Sequence, residues 1–118
     1  EVFPELRGKF DGYALRVPNL TVSYTDFTFL TKKKTTVEAV NAAMTKWAAK
    51  PEMAGILAVT SEPLVSSDFK KHPASAIVDL PLTNVIDGDL VKIGAWYDNE
   101  WGYSQRFVEQ AIVIGRSL

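Results

Sequence analysis

Cysteine is absent from all 118 residues. The chain therefore carries no disulfide frame, no thiolate metal site and no thiol nucleophile of its own. Histidine occurs once, at His72, so no Cys/His cluster exists. The seven glycines are scattered singly. None builds a Gly-x-Gly-x-x-Gly after a strand or a Gly-Lys-Ser/Thr phosphate loop, and His-Glu-x-x-His is missing too, so the signature of a nucleotide-binding domain is absent. Neither sign of charge dominates, because 13 Lys plus Arg against 14 Asp plus Glu leave a formal net charge of −1. No global field then draws nucleic acid or an anionic membrane, and any anion recognition is local. No apolar run approaches the roughly 20 residues of a membrane helix. The opening Glu1-Val2-Phe3-Pro4 lacks the basic and apolar regions of a signal peptide and reads as an internal start. Repeats, low-complexity tracts and Gly/Ser/Pro-rich linkers are also missing.

What remains has the composition of a soluble globule: 47% hydrophobic and 23% charged residues, in one domain's length with one modest core. The runs Lys32-Lys33-Lys34 and Lys70-Lys71 read as solvated turns. Alternation predicts a strand at Tyr13–Val17, with Tyr13, Leu15 and Val17 on one face and Arg16 on the other. Pro18 closes it, and a second β-rich run follows from Thr21 to Leu30. Thr35 and Glu38 have the spacing of a capping box. They open a helix in which Val37, Val40, Met44 and Trp47 recur on one side, and Pro51 lies just past its end. A short strand is expected at Ile56–Val59 and a polar loop at Ser66–Pro73. Asp87-Gly88-Asp89 between Leu82–Ile86 and Leu90–Tyr97 is a hairpin signal, since Asp-Gly tolerates the positive φ of a tight reversal. Asp98 and Asn99 then cap a final helix with a stripe of Phe107, Ala111, Ile114 and Leu118, flanked by Val108 and Ile112. Hairpin-joined strands with two helices predict an α+β fold: a mostly antiparallel or mixed sheet covered by helices on one side.

The side chains able to do chemistry are few. His72, between Lys71 and Pro73, reads as a surface-loop residue without a catalytic partner. Ser66 and Ser67 before Asp68 read as turn hydroxyls, for no Gly-x-Ser-x-Gly elbow is present. Asn19-Leu20-Thr21 matches a glycosylation sequon without the secreted context it needs. Arg16, on a strand whose other face is apolar, faces solvent, a cleft or a buried anion, and spacing alone favours a surface salt bridge. Asn99, at a strand-to-helix junction, is either a cap or a binding group.

The segment Ala95-Trp96-Tyr97-Asp98-Asn99-Glu100-Trp101-Gly102-Tyr103-Ser104 resembles the C-terminal signature of phosphorylating glyceraldehyde-3-phosphate dehydrogenases. The resemblance continues through Pro4–Lys9, Ala14-Leu15-Arg16-Val17-Pro18, Glu62–Asp68 and Ile77-Val78-Asp79, in order across essentially the whole chain. It implies that residues 1–118 are the second half of the family's catalytic domain, with 100–118 as the terminal helix and the N-terminal nucleotide-binding domain not included. By the same resemblance Arg16 contacts the substrate phosphate and inorganic phosphate, Asn99 binds the nicotinamide carboxamide, and Tyr97 lies near the cofactor. The family's catalytic cysteine and histidine have no counterpart here, so no catalytic residue and no metal ligand is assigned. His72 is outside the family's base motif. Asn19-Leu20-Thr21 departs from the usual Thr-Pro-Asn, and without that proline the turn after Arg16 is less constrained.

The activity so implied is that of a glycolytic or Calvin-type enzyme converting glyceraldehyde 3-phosphate, phosphate and NAD or NADP to 1,3-bisphosphoglycerate. The intact protein would be a cytoplasmic homotetramer with no nucleic-acid or membrane partner. The chain alone would be inactive and would hold no dinucleotide stably. The apolar side of its final helix, or the strands from Leu82 to Tyr97, would associate with another copy. Two alternatives stand beside this reading: an erythrose-4-phosphate dehydrogenase portion, against which Tyr97 speaks where a cysteine is expected, and a non-catalytic interaction or scaffold domain.

Overall fold

Asp87 and Gly88 both adopt positive φ, 50° and 75°, as the Asp-Gly reversal requires. They join strands β3 (Ala76–Ile86) and β4 (Leu90–Tyr97) of the computed structural model, which describes residues 3–118. Glu1 and Val2, where the internal start is read, lie outside the described residues. β3 begins at Ala76 rather than at Leu82. It runs through Pro81, which has no N–H to give the ladder and interrupts the pairing. Ile77, Val78 and Asp79 pair with Trp96, Ala95 and Gly94, then the register shifts across the proline and pairing resumes at Asn84 with Lys92.

Two more strands complete a four-stranded sheet. β1 (Ser23–Leu30) pairs antiparallel with β4, and β2 (Leu57–Thr60) pairs parallel with β3, giving the order β1-β4-β3-β2. The sheet is therefore mixed, within an α+β fold. β1 starts after Val22, whose φ of 74° is left-handed and interrupts the strand conformation. The Asn19 side chain holds this turn, its Nδ2 donating to the Thr21 carbonyl at 2.8 Å.

The expected strand at Tyr13–Val17 does not form: these residues are irregular and exposed, Tyr13 at 89% and Leu15 at 78%. Alternation makes a strand only where a neighbour supplies backbone partners, and none of β1 to β4 pairs with this segment. The capping box is also corrected. Helix α1 (Val37–Ala48) is capped by Thr36, which accepts from the Ala39 N–H at 3.2 Å. Thr35 is committed elsewhere, its own N–H donating to the Gly88 carbonyl at 2.7 Å.

One face of the sheet carries Ile77 and Trp96, and the loop after β2 folds back on it. Phe69, in the short helical turn Ser66–Phe69, stacks on Trp96 with ring centroids 5.3 Å apart and planes 13° from parallel. Val22, Ala74, Ala58 and Leu64 close this cluster. Asp68, not a serine hydroxyl, holds this turn, accepting from the Val65 N–H at 2.8 Å. α1 lies over β2 and β3. Helix α2 (Asn99–Ser117) leaves the end of β4 and docks only through its first turns. There Gly102 is buried against the Ala74 carbonyl, so close that a Cβ would sit 3.2 Å from it. Further along, Phe107, Ile114 and Leu118 are exposed. The apolar stripe is present but meets no other part of the described chain.

Candidate functional site

The corner where β4 turns into α2 concentrates the polar organisation of the molecule. Asp98 is 4% exposed. Its Oδ1 accepts from the Trp101 N–H at 3.0 Å and its Oδ2 from the Lys71 N–H at 2.8 Å. One carboxylate thus caps α2 and fastens the helix to the preceding loop. Burial alone would raise the Asp98 pKa, but the N–H groups of Trp101, Lys71 and Glu100, with the Lys70 charge, outweigh it and hold the carboxyl below its ordinary value. The sequence anticipates the cap. It gives no local signal for the bond to Lys71, which joins residues 27 apart.

Asn99 is the first residue of α2, and its side chain is exposed. Ser23, the register partner of Tyr97, donates its hydroxyl to Asn99 Oδ1 at 3.5 Å. Asn99 and Tyr97 border one open concavity of about 320 Å³, together with Ser75, Gly102, Tyr103 and Arg106. The Arg106 guanidinium is held by three other residues. Nη1 donates to the Gly55 carbonyl at 2.6 Å and to Ser75 Oγ at 3.2 Å, while Nε and Nη2 engage Glu109 at 2.7 and 2.5 Å. Asp98, which also borders the first concavity, lines with Trp101, Lys70 and Lys71 a second hollow of about 290 Å³. Arg106 is an organising residue that the sequence does not single out, and Asp98 is legible there only as a helix cap.

Arg16 stands apart from this corner. It is exposed in the irregular segment before β1 and lines neither concavity. The structure brings Tyr97 and Asn99 together and does not bring Arg16 to them. His72 lies in the loop, where its Nδ1 accepts from the Ala74 N–H at 3.2 Å. Among the described residues, no group of three or more His, Cys, Asp or Glu side chains gathers to hold a metal ion, and no helix is long and apolar enough to cross a membrane.

An asparagine side chain presents one acceptor and two donors, and Asn99 presents them exposed beside Tyr97 and Tyr103.

Comparison with known proteins gives this corner a context. Residues 1–99 match the family described as "Glyceraldehyde 3-phosphate dehydrogenase, C-terminal domain". A glyceraldehyde-3-phosphate dehydrogenase of Mycobacterium avium is 51% identical over 117 residues, which are 99% of this chain and 34% of that protein. One from Zymomonas mobilis is 46% identical over 117 residues, 99% of this chain and 35% of that protein. The chromosomal enzyme of Cupriavidus necator is 48% identical over 116 residues, 98% of this chain and 34% of that protein. The chain spans about a third of the length of the curated relatives it matches.

Proposed function

The chain belongs to the glyceraldehyde 3-phosphate dehydrogenase C-terminal domain family, and from that premise we propose that it is one part of a phosphorylating, nicotinamide-dependent aldehyde dehydrogenase acting on glyceraldehyde 3-phosphate. In this reading residues 1–118 are the second part of the catalytic domain, with 100–118 as the terminal helix. The observation that carries the reading is Asn99: an exposed amide on the first turn of a helix, at a concavity it shares with Tyr97 and Tyr103.

The side chains present suit the nicotinamide end of NAD or NADP, because the Asn99 amide complements a carboxamide donor for acceptor and acceptor for donor. When bound, the dinucleotide supplies the hydride acceptor of the oxidation. This chain's residues contribute orientation. Asn99 fixes the rotation of a carboxamide from a rigid junction, and Tyr97 and Tyr103 give its ring an apolar wall. Arg16 supplies the anion contact. Its guanidinium is a planar fork of donors matched to phosphate oxygens, and its exposure leaves that fork open to substrate phosphate or inorganic phosphate. The covalent step needs a thiolate that these 118 residues do not contain.

The intact protein is further proposed to be a cytoplasmic homotetramer without nucleic-acid or membrane partners. Support for self-association comes from the exposed stripe of Phe107, Ile114 and Leu118.

The test is kinetic, on the whole polypeptide that carries this segment. Arg16→Ala should raise KM for glyceraldehyde 3-phosphate and phosphate, and Asn99→Ala should impair the dinucleotide step while leaving those KM values in place. Preference for erythrose 4-phosphate over the triose phosphate would move the activity to the related enzyme, and wild-type kinetics in both variants would remove the assignment of these residues.

A further inference from the structure

We propose that Asp98 is the positioning residue for Asn99, a clamp whose carboxylate ties the loop at Lys71 to the first turn of α2 and so sets the direction in which the Asn99 amide points. The inference rests on the reading of Asn99 given above and adds to it the residue through which that amide is held.

Three observations carry it. First, the buried Asp98 divides its two oxygens between separate segments, Lys71 N–H at 2.8 Å and Trp101 N–H at 3.0 Å. A cap alone would need only the second. Second, the Lys71 backbone is left-handed, with φ 64°. A non-glycine residue keeps such a conformation only where its surroundings hold it, and the Asp98 carboxylate is what receives the Lys71 N–H. Third, Asn99 has little holding it from its own side chain. Its bond from the Ser23 hydroxyl is 3.5 Å long, well beyond the usual 2.5–3.0 Å of an O–H donor. Its aim is therefore set by the backbone it stands on, and that backbone is the turn Asp98 fastens. The Gly102 N–H donating to the Asp98 carbonyl at 2.8 Å, and the seat of Gly102 on Ala74, complete the rigid base. The backbone N–H groups that hold the carboxyl below its ordinary pKa keep it ionised at neutral pH, as a clamp accepting two donors requires.

A double-mutant cycle on the whole polypeptide tests this, read both as the dinucleotide dissociation constant by calorimetry and as kcat/KM. Asp98→Ser keeps a capping oxygen for Trp101 but is too short to reach Lys71. It should weaken dinucleotide affinity and kcat/KM on the order of 10-fold, short of the roughly 100-fold that a 1 Å misplacement can cost. It should also speed amide hydrogen exchange at Lys71. In an Asn99→Ala background the same change should cost nothing further, since the clamp then has no amide to aim. Asp98→Asn, which keeps one acceptor oxygen and a good N-cap, is read in the same way and covers a serine variant that does not fold. Additive losses, or an unaffected Asp98 variant beside an impaired Asn99→Ala, would overturn the clamp while leaving the role of Asn99 standing. A silent Asn99→Ala would instead overturn that role and the clamp with it.

Discussion

The Tyr24 ring lies across Gly94 so closely that a Cβ on Gly94 would stand 1.7 Å from the phenol oxygen. Tyr24 is on β1, Gly94 on β4, and the ring also packs on Trp96 with centroids 4.7 Å apart. Glycine at this position is therefore a packing requirement, not a turn requirement. Gly94→Ala should force the ring out and destabilise the fold by about 1–3 kcal/mol, read as a shift in urea midpoint. Tyr24→Ala in the same chain should remove most of the additional penalty of the alanine. Burial, followed by the Asp26 and Asp79 carboxylates, raises the Tyr24 pKa against a smaller opposing effect of Lys92. An expelled ring should accordingly titrate closer to 10, the usual phenol value, in an ultraviolet titration. An unshifted midpoint with an unchanged phenol would mean that the ring stays where it is, and glycine would not be a packing requirement at this position.

Asp98 makes stability depend on acid in one direction. Its folded-state pKa lies below the unfolded one, so its contribution is complete above about pH 4, the unfolded carboxylate range. It is lost as pH falls through the lower folded value. Urea unfolding between about pH 6 and pH 2 should show this loss, and Asp98→Asn should flatten that part of the profile. Asp98→Ala should cost about 2 kcal/mol at neutral pH, the upper range for losing an N-cap, because the Lys71 N–H is orphaned as well. A wild-type-like acid limb in Asp98→Asn would show that other carboxylates govern it.

The features legible in the sequence are those decided within a few residues. Asp87-Gly88 declares its turn through φ, and Asp98 declares the start of α2 through its oxygen. The place of Asn99 follows from the junction between them, and the apolar face of α1 from its spacing. What was not legible depends on distant partners. The parallel pairing of β2 with β3 and the continuation of β3 past Pro81 are settled by neighbours remote in the chain. Tyr13–Val17 has the alternation of a strand without a ladder to join. Thr36 rather than Thr35 is the cap, and the Thr35 N–H goes to Gly88, far along the chain. At the candidate site, Asn99 and Tyr97 could be placed at the strand-to-helix junction from local pattern, but the Asp98 bond to Lys71 and the absence of Arg16 from the lining of their concavity required the fold.

Arg106 is the second fastening of α2, and it acts on the backbone of another element. Its Nη1 reaches the Gly55 carbonyl in a turn where Gly55 has φ 71°. Arg106→Lys keeps the charge but cannot serve Gly55, Ser75 and Glu109 together, since an ammonium lacks the planar fork. Hydrogen exchange should rise in the first turns of α2 and around Gly55, with the Asp87-Gly88 hairpin unaffected. If lysine preserves protection at both places, charge alone holds the helix.

The thiol chemistry of the proposed reaction separates what this chain positions from what it performs. Forming an acyl intermediate from an aldehyde requires a nucleophile that adds to the carbonyl carbon, which then loses its hydrogen as hydride, and that phosphate finally displaces from that carbon. A guanidinium and an amide stabilise and orient but never bond to carbon. The purified 118-residue chain, supplied with glyceraldehyde 3-phosphate, phosphate and either NAD or NADP, should accordingly show no sustained reduction of the dinucleotide by absorbance. Turnover that survives repurification and disappears in Asn99→Ala would mean that a group other than a thiol attacks the aldehyde, and the division of labour proposed for this chain would fall.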